Sequence, residues 1–297
     1  MNDSARPHRG TIFVEDATVR EIETWPDEQF VMRFDSPRCA KAATAGSFIH
    51  LKCNDAIPMR RPLSIMRANA EEGWIDVLYK VVGEGLHALS RAKPGDALSS
   101  MGPIGNGFTP RPERPRTVLI GGGVGIPPMV FLAEELKNNL STWSPIVFMG
   151  SEIPFPFPMR DSAFDVPGVD QDIRASMTLM ESWDVPSRLA SLSDYDGTYR
   201  GYVTDLAAAY LETLTPEELE ETEIFSCGPT PMLAAVARLA ARFGLPCQVS
   251  LEEYMACAVG GCAGCTVRVE LSEGPAMKRV CVDGPVFEAA TVFPNAD

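Results

Sequence analysis

Thr117-Val118-Leu119-Ile120-Gly121-Gly122-Gly123-Val124-Gly125-Ile126-Pro127-Pro128 is the stretch from which the fold of this chain can be read. Thr117–Ile120 is a short apolar run of the kind that makes a buried parallel strand. The glycine loop follows at once. Ile126–Lys137 then predicts a helix, with Pro127 and Pro128 tolerable only in its first turn. A strand, a glycine loop and a helix N-terminus together form an anion site suited to a dinucleotide pyrophosphate. Gly121, Gly122, Gly123 and Gly125 are the candidate contacts. The loop departs from G-x-G-x-x-G, because Pro128 stands where the last glycine would be.

Downstream, Ile146–Met149 reads as a second strand ending at Gly150-Ser151-Glu152. An acidic residue there can bond ribose hydroxyls and repel a 2′-phosphate, so Glu152 is a candidate for choosing NAD over NADP. A solvated loop glutamate is the plain alternative. Residues 153–195 give little pattern. Pro154-Phe155-Pro156-Phe157-Pro158 cannot be a helix or a central strand, so it is an apolar loop that caps the domain or meets a partner. Ser176–Met180 reads as a strand. Val203–Leu214 reads as a helix, and Thr215-Pro216-Glu217-Glu218 as a capped helix start. Glu223–Cys227 is the next strand, ending in Cys227-Gly228-Pro229. Thr230 is expected to cap a helix with Pro231 first, running to Phe243 and stopping at Gly244. A cysteine at the carboxyl end of a parallel strand sits where α/β sheets bind ligands.

Upstream, short strand-like runs recur between turn residues: Thr11–Val14, Phe30–Phe34, Phe48–Lys52, Leu63–Met66, Trp74–Val82 and Ala97–Ser99. That rhythm favours an antiparallel β-barrel, with no long helical period before residue 112. Two clusters here carry chemistry. In Arg60-Arg61-Pro62-Leu63-Ser64, Arg61 can pair with a phosphate through its planar fork and Ser64 offers a hydroxyl. In Leu78-Tyr79-Lys80-Val81-Val82-Gly83-Glu84-Gly85-Leu86, a ring can stack on Tyr79, and the amides of Gly85 and Leu86 are free for a pyrophosphate. The plain readings are a surface arginine and a β-turn beside a core tyrosine. Gly102-Pro103-Ile104-Gly105-Asn106-Gly107-Phe108 is expected to be a loop.

Near the C-terminus, Cys257, Cys262 and Cys265 stand at C-x4-C-x2-C spacing, and Cys281 follows after fifteen intervening residues. That is the spacing of a plant-type [2Fe–2S] ligand set. Ala and Gly between the cysteines let backbone amides approach the sulfurs, and Gly260, Gly261 and Gly264 can take φ > 0 in a tight wrap. Zinc fits less well, since zinc sites usually show paired C-x2-4-C units or histidines, and His8, His50 and His87 are all remote in sequence. Of the eight cysteines, Cys39, Cys53, Cys227 and Cys247 remain. Only Cys227 has a context beyond that of a small buried hydrophobe.

Composition bounds the rest. The 297 residues have room for two domains and a smaller third. A net charge of −14 lacks the basic face that nucleic-acid binding needs. The longest apolar runs are too short for a transmembrane segment, and polar residues 1–10 do not read as a secretory signal. Eight cysteines in such a chain suggest a reducing compartment and a metal centre rather than a disulfide framework.

Taken in order, these pieces resemble the ferredoxin-reductase-like flavoproteins, and within them the electron-transfer subunits of class 1B dihydroorotate dehydrogenase. The resemblance rests on Arg61–Ser64, Gly85-Leu86, Gly102–Phe108, Gly121–Gly125, Cys227-Gly228-Pro229, Ser250-Leu251-Glu252-Glu253, the four cluster cysteines and Cys281–Phe287. It implies an N-terminal FAD-binding antiparallel barrel (1–112), a central α/β parallel-sheet NAD domain (113–246) and a small C-terminal [2Fe–2S] domain (247–297). It implies FAD held by Arg61, Pro62, Leu63, Ser64, Leu78, Tyr79, Lys80, Gly85 and Leu86. It implies NAD across the glycine loop and Gly228-Pro229, with Cys227 near the nicotinamide, and a cytoplasmic role in pyrimidine biosynthesis. Electrons would pass from an FMN-containing catalytic subunit through the cluster and FAD to NAD⁺, in a heterotetramer of two of each chain. The sequence departs from the family pattern at Leu86, usually Thr, and at Ala258, usually Gly, which must then adopt a compatible φ. Residues 153–195 are longer than the usual connection. Two other readings stay open: an NAD(P)H-dependent reductase subunit of a hydrogenase, transhydrogenase or oxygenase, and a zinc-binding scaffold.

Overall fold

The computed structural model describes residues 11–295, so residues 1–10, on which the expectation about a secretory segment rests, lie outside the described residues. The chain begins with β1 (Phe13–Trp25), β2 (Gln29–Asp35), the short helix α1 (Pro37–Ala42), β3 (Phe48–Leu51), β4 (Arg61–Asn69), β5 (Trp74–Lys80), the short helix α2 (Gly83–Leu89) and β6 (Ala97–Ile104). The strands close into an antiparallel barrel in the order β1-β2-β5-β4-β3-β6. Alternation along each strand sends Met32, Phe34, Ile49, Leu51, Ile65 and Val77 into the barrel core.

Several local expectations change. β1 is far longer than Thr11–Val14, because residues 13–18 pair along β6 and the polar, alternating residues 18–25 pair along β2. The turn expected at Gly83–Leu86 is the start of a helix, which Gly83 enters with φ of +68°. Gly102-Pro103-Ile104 is strand rather than loop. Gly102 pairs with Phe13 and Ile104 with Phe48, and Pro103 falls where the β3–β6 register shifts. A proline is tolerated at such a bulge.

The chain then forms β7 (Arg116–Gly122), a 3-10 turn (Gly123–Gly125), α3 (Ile126–Lys137), β8 (Ser144–Gly150), β9 (Met159–Asp161), β10 (Ala175–Met177), α4 (Thr178–Glu181), β11 (Ser187–Ser191), β12 (Tyr199–Arg200), α5 (Val203–Leu211), α6 (Pro216–Glu220), β13 (Thr222–Cys227), α7 (Thr230–Phe243) and β14 (Cys247–Ser250). After a loop come β15 (Thr266–Leu271), β16 (Gly274–Arg279), β17 (Val286–Glu288) and α8 (Ala289–Val292). One sheet runs β12-β11-β8-β7-β13-β14-β17, parallel throughout except for β17. Every residue of β13 is buried, as suits a strand flanked on both sides and covered on both faces. Because β14 and β17 belong to this sheet, the boundary expected after residue 246 falls inside it.

The α3 helix occupies the expected range, and its apolar side chains are buried nearly all round between sheet and barrel. The Thr215–Glu218 capping box forms as expected, and Gly244 takes φ of +65° at the end of α7. Pro229, not Thr230, holds the cap position of α7, because Thr230 is already its first helical residue, and no side-chain cap bond is made. The strand expected at Ser176–Met180 stops at Met177 and turns into α4. The Phe155 and Phe157 rings are buried against each other, and Phe155 packs edge-on against Tyr195. Gln29 of the barrel donates to Pro154 O at 2.8 Å. The proline-rich stretch therefore caps the molecule from within.

Candidate functional site

The sheet order places a switch point beside β7. From β7 the chain proceeds outward through β8 and β11, then returns to β13 on the other side. Ligands of open α/β sheets bind in the crevice at the carboxyl ends of the two strands flanking such a point. Here those ends are Gly121-Gly122 and Cys227-Gly228, so the structure brings together two motifs far apart in sequence. A Cβ on Gly125 would stand 2.5 Å from the Cys227 carbonyl and the Gly228 amide, and one on Gly228 2.6 Å from Met232 Cε. The two turns press against each other as only glycines allow. Gly123 takes φ of +55° with open space above it. Pro229 follows in the second turn, while Glu152 lies just past the end of β8 and is exposed.

Cys227 is fully buried, with its Sγ 4.0 Å from Glu252 Oε1. Burial, and then the Glu252 charge, push the thiol well above its ordinary value. Burial of the carboxyl likewise raises Glu252, although other parts of this residue reach solvent. Glu252 was not among the candidate contacts read from sequence, since nothing local to it marks a partner at position 227.

On the barrel, Arg61 donates to the Met59 and Arg60 carbonyls at 2.9 and 3.2 Å. Among the described residues it has no carboxylate partner. A Cβ on Gly85 would lie 2.7 Å from Arg61 Nε, so the glycine of α2 is what lets this guanidinium approach the helix start. Pro62, Leu63 and Ser64 continue β4 behind Arg61, paired with β3. Leu78, Tyr79 and Lys80 end β5, and Leu86 is buried in α2. The stacking role expected for Tyr79 is corrected. Its ring is buried and stacked on Phe30, with centroids 5.3 Å apart and planes 13° apart. The part left to offer is its hydroxyl, which is buried with no hydrogen-bond partner among the described residues. An unpaired cation, a cradle that tolerates no Cβ and an orphaned hydroxyl together suit an anionic, ring-bearing group such as FAD.

The four cysteines gather in the loop between β14 and β17. Cys265 Sγ and Cys281 Sγ are 3.3 Å apart, and the Cys281 N–H points at Cys265 Sγ across 3.5 Å. The Cys262 N–H reaches Cys257 Sγ at 3.4 Å. Against the burial that raises it, N–H groups of Val259, Cys262 and Gly261 draw the Cys257 thiol down to about 7. Ala258 accepts the strain at φ of +54°, as does Ala263 at +55°, while Gly260 is at +79°. Among the described residues, no three His, Cys, Asp or Glu converge on one metal-ion position. The thiols fall instead into one pair around Cys257 and Cys262 and another at Cys265 and Cys281. Such a donor set suits two irons with two thiolates each.

The remaining motifs tie these regions together. The Asn106 N–H donates to Gly284 O at 2.6 Å, and its side-chain amide to Val282 O at 3.0 Å. Thus Gly102–Phe108 and Cys281–Phe287, separate in sequence, form one contact. His50, remote from the cysteines in sequence, is buried on the outer side of β3, and among the described residues neither ring nitrogen has a hydrogen-bond partner. Burial lowers its pKa, while the nearby backbone of Met255, on the cysteine loop, pulls the other way without reaching hydrogen-bond geometry.

Comparison with known proteins adds the family. Residues 252–293 match the iron-sulfur cluster binding domain of dihydroorotate dehydrogenase B. The dihydroorotate dehydrogenase B (NAD(+)) electron transfer subunit of Desulforamulus reducens is 30% identical over 279 residues, 92% of this chain and 96% of the relative. The chain belongs to this family. The electron transfer subunit of Bacillus caldolyticus is 35% identical over 255 residues, 83% of this chain and 86% of the relative. A solved NADH-dependent reduced ferredoxin–NADP oxidoreductase superposes with a TM-score of 0.74 at 25% identity, covering 94% of this chain and 90% of its own. The ferredoxin reductase of carbazole 1,9a-dioxygenase, at 20% identity and a TM-score of 0.62, shares the fold over 79% of this chain and 67% of its own. The similarity to the dihydroorotate dehydrogenase B subunits thus takes in barrel, sheet and cysteine loop alike.

Proposed function

We propose that this chain carries electrons between a catalytic subunit that oxidises dihydroorotate and NAD⁺. One observation supports this above others: the segment Ser250–Cys257 meets all three candidate sites. Glu252 approaches Cys227 in the nucleotide crevice, Met255 lies against His50, the β3 partner of Pro62 in the candidate flavin strand, and Cys257 belongs to the thiol set. Three sites linked by eight consecutive residues suit electron carriers that must pass charge over short gaps.

In this reading, Arg61 neutralises the FAD pyrophosphate, Gly85 and Leu86 offer amides beside it, and Tyr79 contributes its free hydroxyl. Pro62, Leu63, Ser64, Leu78 and Lys80 line the same site. Gly121, Gly122, Gly123, Gly125, Gly228 and Pro229 receive the dinucleotide, Cys227 stays a neutral thiol beside the nicotinamide, and Glu152 favours NAD over NADP. Cys257, Cys262, Cys265 and Cys281 ligate one [2Fe–2S] cluster. When bound, FAD supplies two-electron chemistry toward NAD⁺ and the cluster one-electron chemistry toward the partner. Residues 1–112, 113–246 and 247–297 carry the FAD, NAD and cluster functions, with β14 serving both of the last two. The partner is an FMN-containing catalytic subunit in a heterotetramer of two of each chain, in the cytoplasm. No helix among the described residues is long and apolar enough to cross a membrane.

Steady-state assays of this chain, of an FMN-containing dihydroorotate dehydrogenase and of the mixture test the reading. The chain alone should pass electrons from NADH to an artificial acceptor without oxidising dihydroorotate. The mixture should oxidise dihydroorotate at the expense of NAD⁺. The structural similarity to the ferredoxin–NADP oxidoreductase favours a second reading, a reductase serving another acceptor. A partner that neither binds this chain nor gains NAD⁺ activity would select it.

A further inference from the structure

Five side chains stack into a column where barrel, α3 and the 153–195 segment meet. The Arg33 guanidinium lies 3.8 Å from the centre of the Trp74 ring. Arg67 follows, 5.4 Å from Trp74 and 5.2 Å from Trp183, and Lys137 lies 4.9 Å from the other indole, Trp183. Cations and indoles therefore alternate from the barrel wall to α3. Within the column Arg67 makes a forked ion pair with Glu134 of α3, with contacts of 2.5 and 3.1 Å. Both side chains are largely shielded, 22% and 17% exposed, so the pair is less screened than a surface contact. The planar fork between two aromatic faces has few other poses. A second link runs alongside, the Ala45 N–H donating to Glu135 at 2.9 Å.

The placement of Arg67 and Glu134 is what carries the inference. Arg67 is on β4, three residues beyond Ser64. Glu134 is on α3, nine residues beyond Gly125. β4 bulges between Ile65 and Arg67 but stays paired with β5, and a helix is stiff over such a length, so this contact ties together the two elements that present the two sites. We propose that Arg67 is a positioning residue for hydride transfer: locked by Glu134 between Trp74 and Trp183, it sets the strand bearing Arg61–Ser64 against the helix that starts at the glycine loop. The inference rests on the proposed flavin and nucleotide sites.

The test uses the full holoprotein with Arg67→Lys, Glu134→Gln and the double variant. Arg67→Lys keeps the charge but loses the fork, which guards against mere misfolding. Flavin and iron contents and the cluster's paramagnetic spectrum should match the parent. The limiting rate of flavin reduction by NADH should fall about tenfold or more, as expected when reacting groups are slightly misplaced, with the apparent Kd for NADH changed less than about twofold. The double variant should be no slower than either single one, since both break the same contact. In flavin-free protein, the shifts in unfolding temperature should be coupled in the same way. A lower unfolding temperature with an unchanged reduction rate would overturn the proposal and leave a simple clamp, and additive effects would also overturn it. A parent whose flavin NADH does not reduce would remove the functional reading itself, and this inference with it.

Discussion

The Cys227 thiol faces the Glu252 carboxyl across 4.0 Å, with Cys227 at the end of a sheet strand and Glu252 at the root of the cysteine loop. Burial raises both groups, so at neutral pH the thiol is protonated. Alkylation of Cys227 by iodoacetamide should be negligible at pH 7–8 by peptide mass spectrometry. Cys227→Ala should retain flavin and iron yet slow flavin reduction by NADH about tenfold, the equivalent of ~1.4 kcal/mol in the barrier. Rapid labelling would show an accessible thiolate and remove the assigned role.

Among the described residues Arg61 has only carbonyl partners, so an anion should gain a charge-assisted bond there. Arg61→Ala should lose about 1.5–3 kcal/mol of that interaction, lowering flavin occupancy roughly tenfold or more. Absorbance after dialysis measures it, and full retention would place the flavin elsewhere.

Replacing any of Cys257, Cys262, Cys265 or Cys281 by Ser should abolish or sharply weaken the paramagnetic signal of the reduced cluster. Replacement of Cys39, Cys53 or Cys247 should not, since each is buried as a free thiol elsewhere. An unaltered spectrum for any of the four would remove that residue from the ligand set.

Glu223 is completely buried, bound to Arg111 and accepting from Gln248 at 3.0 Å. Burial outweighs these partners and raises its pKa above 4.5. The folded chain then holds a proton that the unfolded chain has released, so this group's contribution is full below pH 4.5 and declines as pH rises through the raised value. Glu223→Gln should therefore gain on the parent in unfolding temperature from pH 4.5 toward neutrality. The opposite trend would mean that the Arg111 attraction dominates.

The strand–glycine loop–helix at Thr117–Lys137 was legible because three local signals agree: an apolar run, glycines, and prolines confined to a first turn. The iron-sulfur domain was legible for a similar reason, since cluster binding constrains the spacing of cysteines in sequence. What failed to show depends on pairing. The polar half of β1 has no apolar run to mark it and becomes a strand only through its neighbours. Pro103 reads as a breaker until the bulge beside it is seen. Tyr79 looks available for stacking until Phe30, far back in the chain, covers it. The Arg67–Glu134 pair, the His50–Met255 approach and the Asn106 clasp join distant residues, and no local signal marks either end of such contacts.

The strands β14 and β17 lie side by side in the sheet, yet all four cysteines proposed as cluster ligands fall between them in the chain. The ends of the cysteine loop are thus tethered before any iron arrives. Closing a long loop carries an entropy cost that grows with its length, and pairing at the sheet edge has already met it. Cluster maturation can therefore start from gathered thiols, with Cys265 and Cys281 in contact. By the same reasoning, oxidative loss of iron should loosen an excursion at the margin of the sheet and leave its interior strands paired. Damage to the cluster then becomes an event that a reassembly system can reverse on a folded protein.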